Sequence, residues 1–375
     1  MTAFALADNR RLVIKVGSSL LTDDDGQVHR HWLQGLAEDI AQLHAAGHQT
    51  LIVSSGAIAI GGRILGINKR RAGLAELQAA AAAGQVRLVH AYQEALSAFR
   101  IVTAQILLTP DDTEDRRRFL NARATLNHLL QKSAIPVINE NDTVATEEIR
   151  YGDNDRLAAR VSQLVMADAL ILLSDVDGLY DADPTTHGAA RHIAEVGRIS
   201  DEVIGYAGET QSDIGTGGMA TKVQAARIAT HAGCATVITN GSIDRPLTAL
   251  ANGCRHTVFR AAASPAAARK QWLAGALAVS GELTVDKGAE QALGNGTSLL
   301  PVGVTSVTGT FERGDVVAVF AEDGRELGRG LSEYSSTEAT ALAGHRSDQI
   351  EALLGYRGRS VIVHRDELVL FGHEH

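Results

Sequence analysis

Lys15 stands near the end of an apolar run, RLVIKV, and is followed at once by Gly17, Ser18 and Ser19. Lysine is rarely tolerated inside a buried strand, so its place there asks for a reason. Backbone amides in a tight turn can form an anion-binding nest, and Lys15 would set a positive charge beside it. A second lysine, Lys222, follows the glycine-rich stretch GTGGMA and opens the helix-like pattern VQAARIATHAG. The spacing is not that of a P-loop, which requires Gly-Lys followed by Ser or Thr; Thr221 precedes Lys222 and no Gly-Lys pair occurs in the chain. Even so, Thr216, Gly217 and Gly218 lead into good helix formers. The first amides of a helix lack intrahelical partners and favour an anion. Lys222 lies about one turn into that helix and can fold back toward the same anion.

Three further stretches combine polar side chains with turn residues. In VSSGAIAIGG, Ser54 and Ser55 offer hydroxyls, and the amides of Gly56 and Ala57 can point at a carboxylate. The segment NENDTVATEEIRYGDND, residues 139–155, holds six acids and three asparagines directly after an apolar run. Asn and Asp crowded at a strand's carboxyl end can bind the ammonium and carboxylate of an amino acid; Asp153, Asn154 or Asp155 could also N-cap the helix expected from Arg156. In LLSDVDGLYDADP, Ser174 and Asp175 close another run, and Asp175 could accept from a base or ribose hydroxyl. Each stretch taken alone also fits a strand-to-helix turn or a solvated loop.

The elements that would position these residues are legible from periodicity. Strands are expected at Arg11–Val16, Thr50–Ser55, Ile101–Leu108, Ile135–Asn139, Ala169–Ser174 and Ala235–Asn240, with a further one at Thr257–Phe259. Helices are expected between them: Leu33, Leu36, Ile40 and Leu43 recur at helical spacing, an alanine-rich segment runs from Leu74 to Phe99, and others cover Phe119–Leu130, Leu157–Val165 and Val223–His231. Continuous apolar strands alternating with helices predict a mainly parallel sheet covered on both faces, a three-layer αβα sandwich. Ligands of such sheets bind at the carboxyl ends of the strands, where all the stretches above fall. From Val279 the texture changes to short β-rich pieces, and Asp323-Gly324 between VVAVFAE and RELGRGL signals a hairpin. The expected organisation is an α/β domain at residues 1–262, a linker with a short helix at 263–278, and a small β-rich domain at 279–375.

Composition excludes several classes. The 375 residues are 45% apolar and 21% charged, as in ordinary globular proteins. The first residues lack the pattern of a secretory leader, and the longest uncharged stretch is rich in Gly, Ser and Thr. Cys234 and Cys254 suggest no disulfide framework. A soluble cytoplasmic protein without membrane contact is expected. From Ala276 onward there are 8 Lys and Arg against 15 Asp and Glu, a balance of −7 out of a total of −9. Such a balance weighs against nucleic-acid binding by that region.

Taken in order, Lys15-Val16-Gly17-Ser18-Ser19, Val53-Ser54-Ser55-Gly56-Ala57-Ile58, Asn139-Glu140-Asn141-Asp142, Gly152-Asp153-Asn154-Asp155, Ser174-Asp175-Val176-Asp177-Gly178-Leu179-Tyr180 and Gly215-Thr216-Gly217-Gly218-Met219-Ala220-Thr221-Lys222 resemble the amino acid kinase family. Within it they match the glutamate 5-kinase pattern, and the carboxy-terminal β domain is similar to a PUA domain. The resemblance implies the amino acid kinase fold and transfer of the γ-phosphoryl of ATP to the side-chain carboxylate of L-glutamate, the first step of proline biosynthesis. It assigns Lys15 and Lys222 to the phosphoryl group and Asp155 to orienting both lysines. Ser55, Asp142 and Asn154, with Asn139 as companion, fall to glutamate. Lys15, Ser174, Asp175, Thr216, Gly217, Gly218, Met219, Ala220, Thr221 and Lys222 fall to ATP. Mg²⁺ is expected with the nucleotide, with no protein ligand assigned. The resemblance further implies proline as feedback inhibitor and a homo-oligomer, dimer or tetramer. The PUA likeness raises an alternative, an RNA-binding protein with the kinase domain as scaffold; the acidic balance instead favours a structural, oligomeric or regulatory role for that domain.

Overall fold

The computed structural model describes residues 4–23, 26–68, 71–144, 154–208, 218–274 and 279–371. The chain divides into two compact units, Met1–Pro265 and Ala266–His375.

The first unit is built on an eight-stranded sheet. Its strands are β1 (Arg11–Val16), β2 (Gln49–Ser54), β3 (Thr103–Leu108), β4 (Ile135–Glu140), β5 (Ala169–Ser174), β8 (Glu195–Val196), β9 (Ala235–Asn240) and β10 (His256–Phe259); β6 (Leu179–Tyr180) and β7 (His192–Ile193) pair separately. The spatial order is β3-β4-β2-β1-β5-β9-β10-β8. The six strands from β3 to β9 are parallel, whereas β10 runs antiparallel to β9 and carries β8 parallel to itself. Strand order reverses beside β1: the chain moves outward on one side through β2 and β4, then returns to β5 on the other. A crevice at the strand ends is expected at such a switch point.

Helices α1 (Ser18–Leu21), α2 (Arg30–Ala45), α3 (Ala57–Leu65), α4 (Leu74–Ser97), α5 (Pro110–Glu114), α6 (Arg116–Gln131), α7 (Asn154–Val165), α8 (Asp201–Tyr206), α9 (Met219–His231) and α10 (Pro246–Ala251) fill the connections. Side chains alternate across the sheet, so Leu12, Ile14 and Val16 of β1 pack with Leu36 and Ile40 of α2 and Leu88 and Tyr92 of α4 on one face. Val13 packs with Leu157 and Val161 of α7 and Val223 and Ala226 of α9 on the other. The same alternation sends Lys15 to the α7–α9 face. At residues 154–155 the structure departs from the capping expectation. Asn154 and Asp155 belong to the first turn of α7, and their side chains reach toward β1, β2 and α9. Asp153 lies outside the described residues.

Helix α11 (Pro265–Ala274) runs through the stretch expected as linker. The second unit holds a five-stranded sheet of β11 (Gly281–Val285), β12 (Val304–Gly309), β13 (Val316–Ala321), β14 (Glu326–Ser332) and β15 (Val363–Leu370), ordered β12-β11-β13-β14-β15. Asp323-Gly324 forms the β13–β14 hairpin, closed by Ala321 N donating to Arg325 O at 2.9 Å. Leu283, Val285, Val317, Val319, Leu342 and Ile350 form its own core.

Candidate active site

The register of the parallel strands aligns the polar strand ends. Lys15 lies opposite Val53 of β2 and Leu172 of β5, and Ser174 lies opposite Asn240 of β9. Lys15 therefore emerges at the centre of the sheet, one residue short of the end of β1. Its side chain is 4% exposed and ends 2.6 Å from Asp155 Oδ1. Lys222, 3% exposed on the first turn of α9, reaches Asp155 Oδ2 at 3.2 Å. Asp155 is fully buried, and Thr221 Oγ1 lies 3.4 Å from its Oδ2. Two ammonium groups from opposite ends of the domain thus share one carboxylate in a desolvated setting. Removing charges from water is costly unless they are paired, and Asp155 pairs with both lysines.

A second cluster lies at the ends of β2 and β4. Asn154 Nδ2 donates to Ser54 O at 2.8 Å, to Asn139 Oδ1 at 2.8 Å and to Ser55 Oγ at 3.0 Å. Asn139 Nδ2 donates in turn to Gln85 Oε1 of α4 at 2.9 Å. Ser54 Oγ meets the Tyr92 hydroxyl at 3.0 Å; burial pushes that hydroxyl well above its ordinary pKa, so it remains protonated. The β2–α3 turn depends on Gly56, whose φ of +108° is strained for any residue with a Cβ. Ser55 of that turn belongs to the cluster.

On the other side of Lys15, Ser174 is buried at the end of β5 and donates to the exposed Asp175 at 3.0 Å. Met219, Ala220 and Thr221 form the first turn of α9, with Gly218 as its N-cap. A cavity of about 530 Å³ opens beside that turn, between Ile204, Ala207 and Gly208 and the Ala220, Val223 and Arg227 face of α9.

A model of the amino acid kinase family matches residues 10–240, and a model of the PUA domain matches residues 281–354. The glutamate 5-kinase of Paramagnetospirillum magneticum is 54% identical over 98% of this chain and 99% of its own. That of Rhizobium rhizogenes is 53% identical over 99% and 95%, and that of Caulobacter vibrioides 56% identical over 96% and 96%. The chain belongs to the amino acid kinase family, among its glutamate 5-kinases.

For this kinase, the residues singled out from sequence fall into three groups. Lys15, Asp155 and Lys222 form the ion-paired trio, while Ser55, Asn139 and Asn154 form the amide cluster. Ser174, Asp175 and the 218–221 turn lie on the α9 side. Asp142 follows β4 by two residues and is half-buried. Thr216 and Gly217 lie outside the described residues. Sequence reasoning missed Gln85 and Tyr92. Both sit on the buried stripe of α4 with Ala81 and Leu88, and a glutamine on an apolar stripe was the available signal. Cys234 and Cys254 are free; burial pushes the Cys234 thiol far up, which suits a packing role.

Proposed function

We propose that this protein transfers the γ-phosphoryl group of ATP to the side-chain carboxylate of L-glutamate, giving L-glutamyl 5-phosphate, as a cytoplasmic enzyme of proline biosynthesis. The observation that carries this reading is the Lys15–Asp155–Lys222 trio at the strand switch point, between a cluster of amides and the first turn of α9. Phosphoryl transfer needs positioning and charge stabilisation more than covalent chemistry. The two ammonium groups offer that charge, and Asp155 fixes where they stand. No general base is required, because the attacking carboxylate is already ionised near neutral pH. Asn139, Asn154, Ser55 and Asp142 serve the amino acid. Ser174, Asp175 and the start of α9 serve the nucleotide, with the cavity beside α9 suited to its purine end.

Mg²⁺ enters this reading bound to the nucleotide. Among the described residues no group of three acidic, His or Cys side chains is arranged to hold a metal, and Asp155 is engaged by both lysines. When bound to phosphate oxygens, Mg²⁺ supplies charge neutralisation. Proline inhibition and a homo-oligomer follow from the family likeness. No helix among the described residues is long and apolar enough to cross a membrane. The alternative of an RNA-binding scaffold is not favoured by the relatives, which are kinases by name over nearly their full length.

The test is coupled ADP release with L-glutamate, L-aspartate, N-acetylglutamate and UMP offered separately. Turnover with L-glutamate is expected; ADP release with a rival alone sinks the reading.

A further inference from the structure

Gln85 lies in the middle of α4, 7% exposed, and only one end of its amide is engaged. Its Oε1 accepts from Asn139 Nδ2, while its Nε2 is buried with no hydrogen-bond partner among the described residues. An unpaired buried donor is costly, and Leu or Met at this position would avoid it. The position is therefore not optimised for packing. What the glutamine supplies is the acceptor.

That acceptor sets a direction. With Oε1 facing Asn139, the Asn139 amide must turn its nitrogen to Gln85 and its oxygen to Asn154. Asn154 presents Nδ2 to Asn139, to Ser55 and to the backbone carbonyl of Ser54, which can only accept and so fixes the same direction from the other end; its Oδ1 is turned away from those three partners. Each amide carries a donor end and an acceptor end, so Gln85 and Ser54 hold the two asparagine amides between them. We infer that Gln85 is a positioning residue of the amino-acid site, clamping the Asn139 amide against Asn154, which Ser54 O orients, so that Asn154 is held with its acceptor offered to the substrate's α-ammonium group. This rests on the proposed glutamate kinase activity. Gln85 does not touch the substrate; it steadies the residues that do.

Gln85→Met and Gln85→Glu separate the possibilities. Methionine removes the acceptor and loosens the Asn139 amide, while Ser54 O still holds Asn154 Nδ2. It also exchanges one unpaired buried donor, Gln85 Nε2, for another, Asn139 Nδ2, so the melting temperature should change little. The KM for L-glutamate should rise about tenfold, equivalent to losing ~1.4 kcal/mol, with the KM for ATP and kcat changed far less. The preference for L-glutamate over glutarate, which lacks the ammonium group, should fall by a similar factor. Gln85→Glu keeps an acceptor toward Asn139 and should recover most of that preference. Wild-type constants in Gln85→Met, equal losses for both substrates, an unchanged glutarate preference, or a Gln85→Glu variant as impaired as Gln85→Met would each overturn the inference. Wild-type protein inert toward L-glutamate would instead remove the activity on which it rests.

Discussion

Asp155 is the residue on which the site's electrostatics turn, because it pairs with both Lys15 and Lys222. Asp155→Asn keeps the shape and takes from two buried ammonium groups the carboxylate they share. Breaking a buried pair costs about 3–5 kcal/mol, so thermal denaturation should show a marked fall in melting temperature. ATP should restore more stability to this variant than to the wild type, since its phosphates supply the missing negative charge; equal ATP-induced shifts would contradict the charge argument. Lys222→Ala has the opposite profile. Lys15 remains on Asp155, so the pair is neutral and the melting temperature should hold within a few degrees. If Lys222 acts on the transferring phosphoryl group as proposed, the loss of its charge should lower kcat by roughly a hundredfold or more, measured by ADP release. Unchanged turnover would remove Lys222 from the assigned role.

At the scale of elements, the α3–α4 pair decides how close Gln85 comes to the strand ends. A Cβ on Gly84 would stand 1.8 Å from Ala57 O, and one on Gly61 would stand 1.7 Å from Ala80 O. The two helices therefore touch backbone to backbone. Gly84→Ala should force them apart at a cost of about 1–3 kcal/mol. It should also raise the KM for L-glutamate, because Gln85 and the α3 turn beyond Ser55 move with their helices; calorimetry and steady-state kinetics report the two effects. Much of this scaffold is legible in the sequence. β1, β5 and β9 are continuous apolar runs ending in small or polar residues, and Leu33, Leu36 and Ile40 announce α2. The antiparallel turn of β10 is not, because a buried run such as HTVF carries no mark of its direction. Nor is Asp155's role readable from spacing alone. An acid beside a helix start reads equally well as a cap, and only the fold brings Lys222 within reach of it. Gln85 is a near miss of another kind. Its stripe is visible, but its partner Asn139 is 54 residues away.

For the molecule as a whole, the carboxy-terminal unit has a charge pattern of its own. The balance of −7 from Ala276 onward is compounded by pairing: Arg313, Arg325, Arg329, Arg346, Arg359 and Arg365 each lie within ion-pair distance of a carboxylate. Phosphate affinity needs clustered cations that are free to release counterions. Fluorescence anisotropy of the full chain with a labelled RNA should show no binding at low salt. Affinity that falls steeply with added salt would restore RNA to consideration.

The placement of β1 between β2 and β5 has a consequence for how the enzyme can change. On the proposed reading, the residues assigned to the amino acid come from 54–155, and those assigned to the nucleotide beyond Lys15 come from 174–227. The two halves of the reaction are written in consecutive, non-overlapping passages of the gene, joined through the clamp at Lys15. Substitutions that retune one partner can accumulate in one passage without rewriting the other, so a new acceptor can be adopted while the phosphate donor stays the same.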